Sequence, residues 1–407
     1  MNRRELQNQL LELIDSNKRI AIQWGTGLGK SKASIDLANY IQDKEKEGNI
    51  KVLIVVAETP HKSNWEQELN KWNIKTNDIT IECYASLKKY NNSFWDLIIF
   101  DEAHHLGTDL KLDILSTMIS DYVILLSATL PDHILQAIEG IFGKFSVSKV
   151  TLKQAIEWGI LPKPKVFLIP LTLDNTTNNC IITEEWGTKN KRKFITCTYY
   201  ERWNYLANRT KYPNITLQIS CTQKQKYEYL TEQFEYWRKR FLRTRNEAIK
   251  NKWLQTGSKR KRFLGECKTE KVKVLLNKMK DKRFICFCSS IEQAESFNKH
   301  NAIHSKKDNS LEIISDFNNK IIDSLYAVNM LQEGQNLKDI EVGIIVQLDG
   351  QERAFVQKFG RSLRAEDPIQ FVFYYKDTRD TEYLNNVIEG IDNEYIIEID
   401  NLTDFEL

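Results

Sequence analysis

The sequence predicts an α/β protein of two parallel-sheet domains in tandem, with a helical, basic insertion between them. Three observations carry that prediction. Short apolar runs of strand length alternate with amphipathic segments of helix length over residues 1–165, and the alternation returns over 267–390. Between them, residues 166–266 give it up for polar, aromatic and basic sequence. The chain has 407 residues, 41% of them hydrophobic, which is enough for two or three cores of ordinary size.

The elements follow in order. "KRIAIQW" reads as a buried strand and "KSKASIDLANYIQDKEKE" as a helix that turns polar at its end. Strand "KVLIVVA", helix "SNWEQELNKW", strand "ITIECYASL", strand "FWDLIIFDEAHH" running into a turn, and strand "DYVILLSATLP" complete the first domain, 1–165. "GILPKPKVFLIPL" holds three of the seven prolines and reads as an extended linker feeding a strand, so 166–266 is taken as linker strand and insertion. Helix "KTEKVKVLLNKMK", strand "RFICFCS", helix "IEQAESFNKH", strands "SLYAVNM" and "VGIIVQL", helix "QERAFVQKFGRSLR" and strand "IQFVFYY" fill the second domain, 267–390. Residues 391–407 are left as a C-terminal tail.

Charge and cysteine content narrow the class. The longest apolar runs are far short of a membrane span and the first residues lack a secretory core, so a cytoplasmic protein without a membrane partner is expected. Seven cysteines, scattered, suit a reduced compartment; Cys286 and Cys288 share a strand face and are expected in the core. Net charge is only +3, but Trp237–Phe263 carries many Lys and Arg against one acid, Glu247, with Trp237, Phe241, Trp253 and Phe263 interleaved. A solvated helix face would explain the charge alone; the aromatics favour a packed, partly functional surface.

The chemistry starts at "WGTGLGKS", Trp24–Ser31. It ends as a phosphate loop ends, between a strand and a helix, although Trp24 stands where the usual pattern has glycine. Backbone N–H groups of Gly25, Thr26, Gly27 and Gly29 can cradle anionic oxygens, Lys30 can reach the β- and γ-phosphates, and the Ser31 hydroxyl can ligate Mg²⁺. Trp24 is expected to pack at the base of the loop or to line the cleft, with a partner for its indole N–H. "LIIFDEAHH" puts Asp101 and Glu102 at the C-terminal end of a buried strand, where ligands collect in α/β sheets. One carboxylate there suits a cation, the other the attacking water.

The ordered set "GTGLGKS", "DEAHH", "SATLP", "EGQNL" and "QKFGRSLR" resembles the superfamily 2 helicases and translocases over about Arg4–Arg379. "TPHKSNWEQELNKW" and "TLKQAIEWGIL" look like the branch with restriction-enzyme motor subunits and phage recombination helicases. The resemblance implies two RecA-like domains with ATP and Mg²⁺ in the cleft between them. It implies an adenine-reading Gln7, phosphate and metal ligands in Lys30, Ser31 and Asp101, and a catalytic base in Glu102. His104, Ser127 and Thr129 would couple hydrolysis to movement. Gly334 and Asn336 match a nucleotide-contacting motif in which the family more often has Asp at the second position. Gln357, Arg361 and Arg364 fall on one helix face at i, i+4, i+7 and match the family's arginine-finger helix. Thr59, Pro60, Tyr84, Ser86, Ser289, Ser290 and His304 match motifs that hold a nucleic-acid backbone. Arg238, Arg240, Arg243, Lys259, Arg260 and Arg262 of the insertion would extend that contact.

The function implied is an ATP-dependent DNA helicase or translocase, nucleic acid being the partner and DNA the favoured kind. Two alternatives stand beside it: an RNA helicase, and a nucleotide-gated clamp or motor subunit without unwinding of its own. A partner nuclease, or replication and recombination proteins, would fit a motor subunit, since no nuclease motif is visible.

Overall fold

The computed structural model describes residues 1–25, 27–44, 48–328, 337, 339–348, 367–388, 391–403 and 405. Helix α1 (Arg3–Ser16) is started by a reciprocal cap in which the Asn2 side chain accepts from Glu5 N and the Glu5 carboxylate accepts from Asn2 N. Strands β1 (Arg19–Trp24), β2 (Val52–Val56), β3 (Ile79–Cys83), β4 (Phe94–Phe100), β5 (Ile119–Ser127) and β6 (Ser146–Val150) follow. They form one sheet in the order β3-β2-β4-β5-β1-β6, parallel throughout. Helices α2 (Lys30–Lys44), α3 (Thr59–Lys71), α4 (Asp109–Leu115), α5 (Asp132–Phe142) and α6 (Leu152–Glu157) lie between and after them. Strand β2 is buried at every position and β1 at all but its first, as a parallel sheet covered on both faces requires.

Strand β7 (Lys165–Leu171) leads into the insertion. There the structure adds a small sheet to the helices expected. Strands β8 (Cys180–Trp186), β9 (Lys193–Thr198) and β10 (Ile215–Cys221), with the short helix α7 (Arg202–Ala207), form a three-stranded sheet in the order β8-β10-β9. Only then come two long helices, α8 (Gln223–Thr244) and α9 (Glu247–Cys267), antiparallel and about 30 Å long. Only one face of the small strands is covered, and Thr and charged residues interrupt their apolar ones, so no continuous hydrophobic run announced them.

The second large sheet is also parallel throughout. It is built from α10 (Thr269–Lys278), β11 (Phe284–Phe287), α11 (Ile291–Asn298), β12 (Ala302–Ile303), α12 (Ser310–Asn318), β13 (Ser324–Ala327), β14 (Val342–Ile345), β15 (Ile369–Tyr375), α13 (Arg379–Ile388) and β16 (Ile396–Glu398). Its strand order is β12-β13-β11-β14-β15-β7-β16. Two expected boundaries shift accordingly. The linker strand beginning near residue 166 is a member of this sheet, and the tail 391–407 supplies its edge strand. Pro170 is tolerated because β16 pairs only with Val166–Leu168, so the missing N–H faces no ladder on that side. Cys286 and Cys288 are both packed in the core under this sheet, as expected. Among the described residues, no helix is long and apolar enough to cross a membrane.

Candidate nucleotide site and nucleic-acid surfaces

The first sheet sets the site by strand order. β4, β5 and β1 are consecutive neighbours, and all three run the same way. Their registers oppose Phe100 to Leu125 and Ser127 to Gln23, so the segments leaving their C-terminal ends emerge side by side.

From β1 the chain enters the glycine loop. Trp24 ends the strand in extended register opposite Val150 of β6, wholly buried, and its indole N–H donates to Ser148 Oγ at 2.9 Å. Position 24 therefore needs no glycine: the backbone there is still strand. The left-handed turn falls later, at Gly27 (φ +88°) and Gly29 (φ +87°), where a side chain would be strained. Helix α2 begins at Lys30, with Ser31 in its first turn. Lys30 Nζ donates to Trp24 O at 3.0 Å, and Arg3 donates to Ile160 O at 3.2 Å and reaches Gly27 O at 3.5 Å. Gln7 is half-buried one turn further along α1, and Gly25 lies at the loop entrance, while Thr26 is outside the described residues.

From β4 come the acids. Asp101 Oδ2 accepts from Trp65 Nε1 at 2.8 Å, Oδ1 accepts from Glu102 N at 3.1 Å, and its carbonyl accepts from the Tyr84 hydroxyl at 2.8 Å. Burial, and then the neighbouring Glu102 carboxylate, push the Asp101 carboxyl above its ordinary range; the Trp65 N–H, Lys30 and His61 pull the other way. Glu102 has a left-handed backbone, φ 50° and ψ 54°, unusual for a non-glycine residue and typical of sites where a side chain is aimed under strain. His104 Nδ1 lies 3.4 Å from Glu102 Oε2 and 3.3 Å from Ser127 Oγ, and Ser127 Oγ donates to Thr129 O at 2.8 Å. The acid turn and the turn after β5 thus form one connected polar network. The Asp101 carboxylate and the Ser31 hydroxyl are oxygen donors of the kind that suits Mg²⁺.

Trp65 and His61 were not singled out from the sequence. With Leu69 they form the buried i, i+4, i+8 stripe of α3, which reads as core packing. The one hint was that a buried indole N–H needs an acceptor. Thr59 and Pro60 start the same helix and are exposed. Tyr84, joined to Asp101, and the half-buried Ser86 open the 3₁₀ turn Tyr84–Tyr90.

In the second unit, Ser289 and Ser290 follow β11, and His304 follows β12. Ser290 caps α11, Ser289 donates through N and Oγ to Gln293 Oε1, and the buried His304 faces Glu295 at 3.4 Å. Gln293 Nε2 in turn donates to Gly265 O (2.8 Å) and Thr269 Oγ1 (2.9 Å), fastening the base of the helical hairpin beside Ser289. In the hairpin, Arg238, Arg240, Arg243, Lys259 and Arg262 are exposed, and Arg262 pairs with Glu266 and Glu292. Arg260 departs from expectation: it is buried, with its guanidinium 4.3 Å over the Phe234 ring, so it braces the hairpin instead of facing solvent. Gly334, Asn336, Gln357, Arg361 and Arg364 lie outside the described residues.

A glycine loop, paired acids and a coupled hydroxyl–histidine network on a parallel sheet, followed by a second parallel sheet, define a tandem P-loop fold of the RecA type. Residues 267–366 match the helicase conserved C-terminal domain family. The fold is similar to that of Saccharomyces cerevisiae Dbp5 bound to RNA and ADP BeF3, at 11% identity and a TM-score of 0.58, over 97% of this chain and 89% of that one. It is also similar to the ATP-dependent Type ISP restriction-modification enzyme LlaBIII bound to DNA, at 13% identity and a TM-score of 0.55, over 99% of this chain and 32% of that one. No curated protein sequence matches the chain. The family match covers the second unit, and the likeness to the two solved structures is one of fold.

Proposed function

We propose that the chain is an ATP-driven motor on DNA, hydrolysing Mg·ATP at the ends of β1, β4 and β5. The observation that carries this reading is the meeting of Lys30 and Ser31, Asp101 and Glu102, and His104 and Ser127 at three adjacent strand ends. Bound Mg·ATP would supply the γ-phosphoryl group and the cation that screens its charge. Lys30 neutralises phosphate oxygens at the start of α2, and Ser31 and Asp101 hold the cation. Glu102 orients and deprotonates the attacking water, aimed by its left-handed backbone. His104 and Ser127 transmit the state of that carboxylate to the turn after β5. By the motif they match, Gln357, Arg361 and Arg364 would act on the γ-phosphoryl group, an arginine finger being worth roughly 10³–10⁵ in rate.

Nucleic acid crosses the strand ends of both units, held through its backbone by the α3 start (Thr59, Pro60), by Tyr84 and Ser86, and by Ser289, Ser290 and His304. DNA is favoured by the acid-turn sequence and by the likeness of the "TPHKSNWEQELNKW" segment to restriction-motor sequences.

The test is ATP hydrolysis by wild type, Lys30→Ala and Glu102→Gln, each without nucleic acid and with single-stranded DNA, duplex DNA or RNA. DNA should stimulate the wild type most, and both variants should lose at least about a hundredfold in rate, the scale of a lost acid–base group. Wild-type turnover by Lys30→Ala would overturn the site, and stimulation by RNA alone would turn the reading to an RNA helicase.

A further inference from the structure

The small sheet of the insertion has one covered face and one open face. Ile215, Leu217, Ile219 and Cys221 of β10 point into a buried cluster with Ile182 and Tyr199. The opposite face carries three rows across β8, β10 and β9: Glu185–Thr216–Phe194, Thr183–Gln218–Thr196 and Ile181–Ser220–Thr198. Every outer-strand member of those rows is exposed, Phe194 at 65% and Ile181 at 52%. Phe194 thus presents an aromatic ring to solvent among threonine and glutamine side chains.

At the end that holds Phe194, the charge without an ion pair is positive. The face's single carboxylate, Glu185, is taken up by Arg192 and by Thr216. Glu201, near the other end, accepts from Thr198 N and Oγ1. Lys189, Lys191 and Lys193, in the turn between β8 and β9 and at the start of β9, have no ion pair among the described residues. Lys211, in the turn before β10, has none either. Because β8 ends where β9 and β10 begin, these four lysines gather at the end of the sheet that also holds Phe194. The opposite end, with Cys180 and Cys221, adjoins the start of α8, whose Tyr227 hydroxyl accepts from Arg379 N of the second unit. The lysines and Phe194 are therefore at the outer tip. The sheet is also braced against α8: Arg202, almost wholly buried, pairs with Glu232 and lies over the rings of Tyr199, Trp203 and Tyr229.

We infer that this open face binds a single strand of nucleic acid, the tip lysines holding its phosphates and Phe194 stacking a base. The chemistry required is a polyanion with unpaired aromatic faces: unpaired lysines select the charge, the exposed ring selects the stack, and the hydroxyl and amide groups between them tolerate any sequence. A protein partner of acidic character would use the lysines and leave Phe194 idle. The inference rests on the reading of the chain as a nucleic-acid motor and gives the insertion a strand-holding role outside the nucleotide cleft.

The test is binding of labelled oligothymidylate, oligouridylate and duplex DNA to the full chain at several salt concentrations, for wild type, Phe194→Ala and Lys189→Ala/Lys191→Ala/Lys193→Ala. None of these residues belongs to the nucleotide site, so ATP hydrolysis without nucleic acid should stay at the wild-type rate and report intact folding. Phe194→Ala should weaken single-strand binding about tenfold with an unchanged salt slope, and duplex binding hardly at all. The lysine variant should lower the slope of log affinity against log salt by about 2, at roughly 0.7 per phosphate contact on a single strand. Comparison of the two single strands reads whether DNA or RNA is the ligand. If wild type binds and both variants match it, the inference falls while the motor reading stands. If the lysine variant weakens binding but Phe194→Ala does not, the face is a general anion contact and the stacking role is overturned. If wild type binds no nucleic acid, the motor reading fails first and takes the inference with it.

Discussion

Trp24 shows how one side chain can depart from a sequence pattern while its backbone stays in the strand. The pattern wants glycine there, but β1 has not yet ended, and the indole fills the space beside β6 with its N–H on Ser148. Replacing Trp24 with Ala should cost about 3–5 kcal/mol of unfolding free energy, the usual scale for emptying a buried aromatic site. Nucleotide should still bind to the folded fraction. Denaturant unfolding and nucleotide titration check the two parts separately; loss of binding in a fully folded variant would make Trp24 a ligand contact. Trp65 carries the opposite lesson, because it looked like core and holds the Asp101 carboxylate. Trp65→Phe keeps the ring's bulk and removes the donor. Hydrolysis by that variant should need several-fold more Mg²⁺ for half-maximal rate, with the extent of folding unchanged. An unaltered Mg²⁺ titration would show the hydrogen bond to be idle.

At the scale of elements, legibility followed burial. The two large parallel sheets were readable because strands covered on both faces are continuous apolar runs, such as "VLIVV" and "FVFYY". The strands of the insertion were not, because half of each faces water, and proline made β7 look like a linker. Most residues of the candidate site were named from their motifs, yet the polar ties among them depend on strand order, which no local pattern encodes. Glu82 is another such tie: from the edge strand β3 it accepts from Lys62 of α3, from Cys83 N and from Lys89. The Lys62 hydrogen bond, then the Cys83 N–H, hold its carboxyl at about 2, against an ordinary 4.5. A depressed carboxyl contributes stability above its unfolded value and loses it as pH falls towards the folded one, here between 4.5 and about 2. Both lysines reach solvent, so the contribution is about 1 kcal/mol. Glu82→Gln should therefore be less stable than wild type by that amount near neutral pH, and the gap should narrow as the solution is acidified below pH 4.5. A gap independent of pH in urea titrations would assign the loss to packing.

At the scale of the molecule, one buried ion pair joins the insertion's exit to the end of the second sheet. Lys268 is wholly buried, 2.7 Å from Asp380, and donates to Val346 O and Phe373 O at 2.8 Å each. Burial pulls its ammonium below the ordinary lysine range, with Asp380 opposing. Asp380→Asn should strand that charge and cost about 3–5 kcal/mol, while Lys268→Met with Asp380→Leu should recover most of it. Equal stability of the single and double variants would deny the pair its place. The placement of β7 has a further consequence. A ribosome makes β7 before the whole insertion and the rest of the second sheet, and its neighbours β15 and β16 come after all of β8–β14. During synthesis the apolar "VFLI" of that strand has no partner, whereas every strand of the first sheet precedes it and can close early. The nascent chain is thus asymmetric in time, with a first sheet that can rest in its final form and a sticky strand left unpaired until β15 and β16 have emerged.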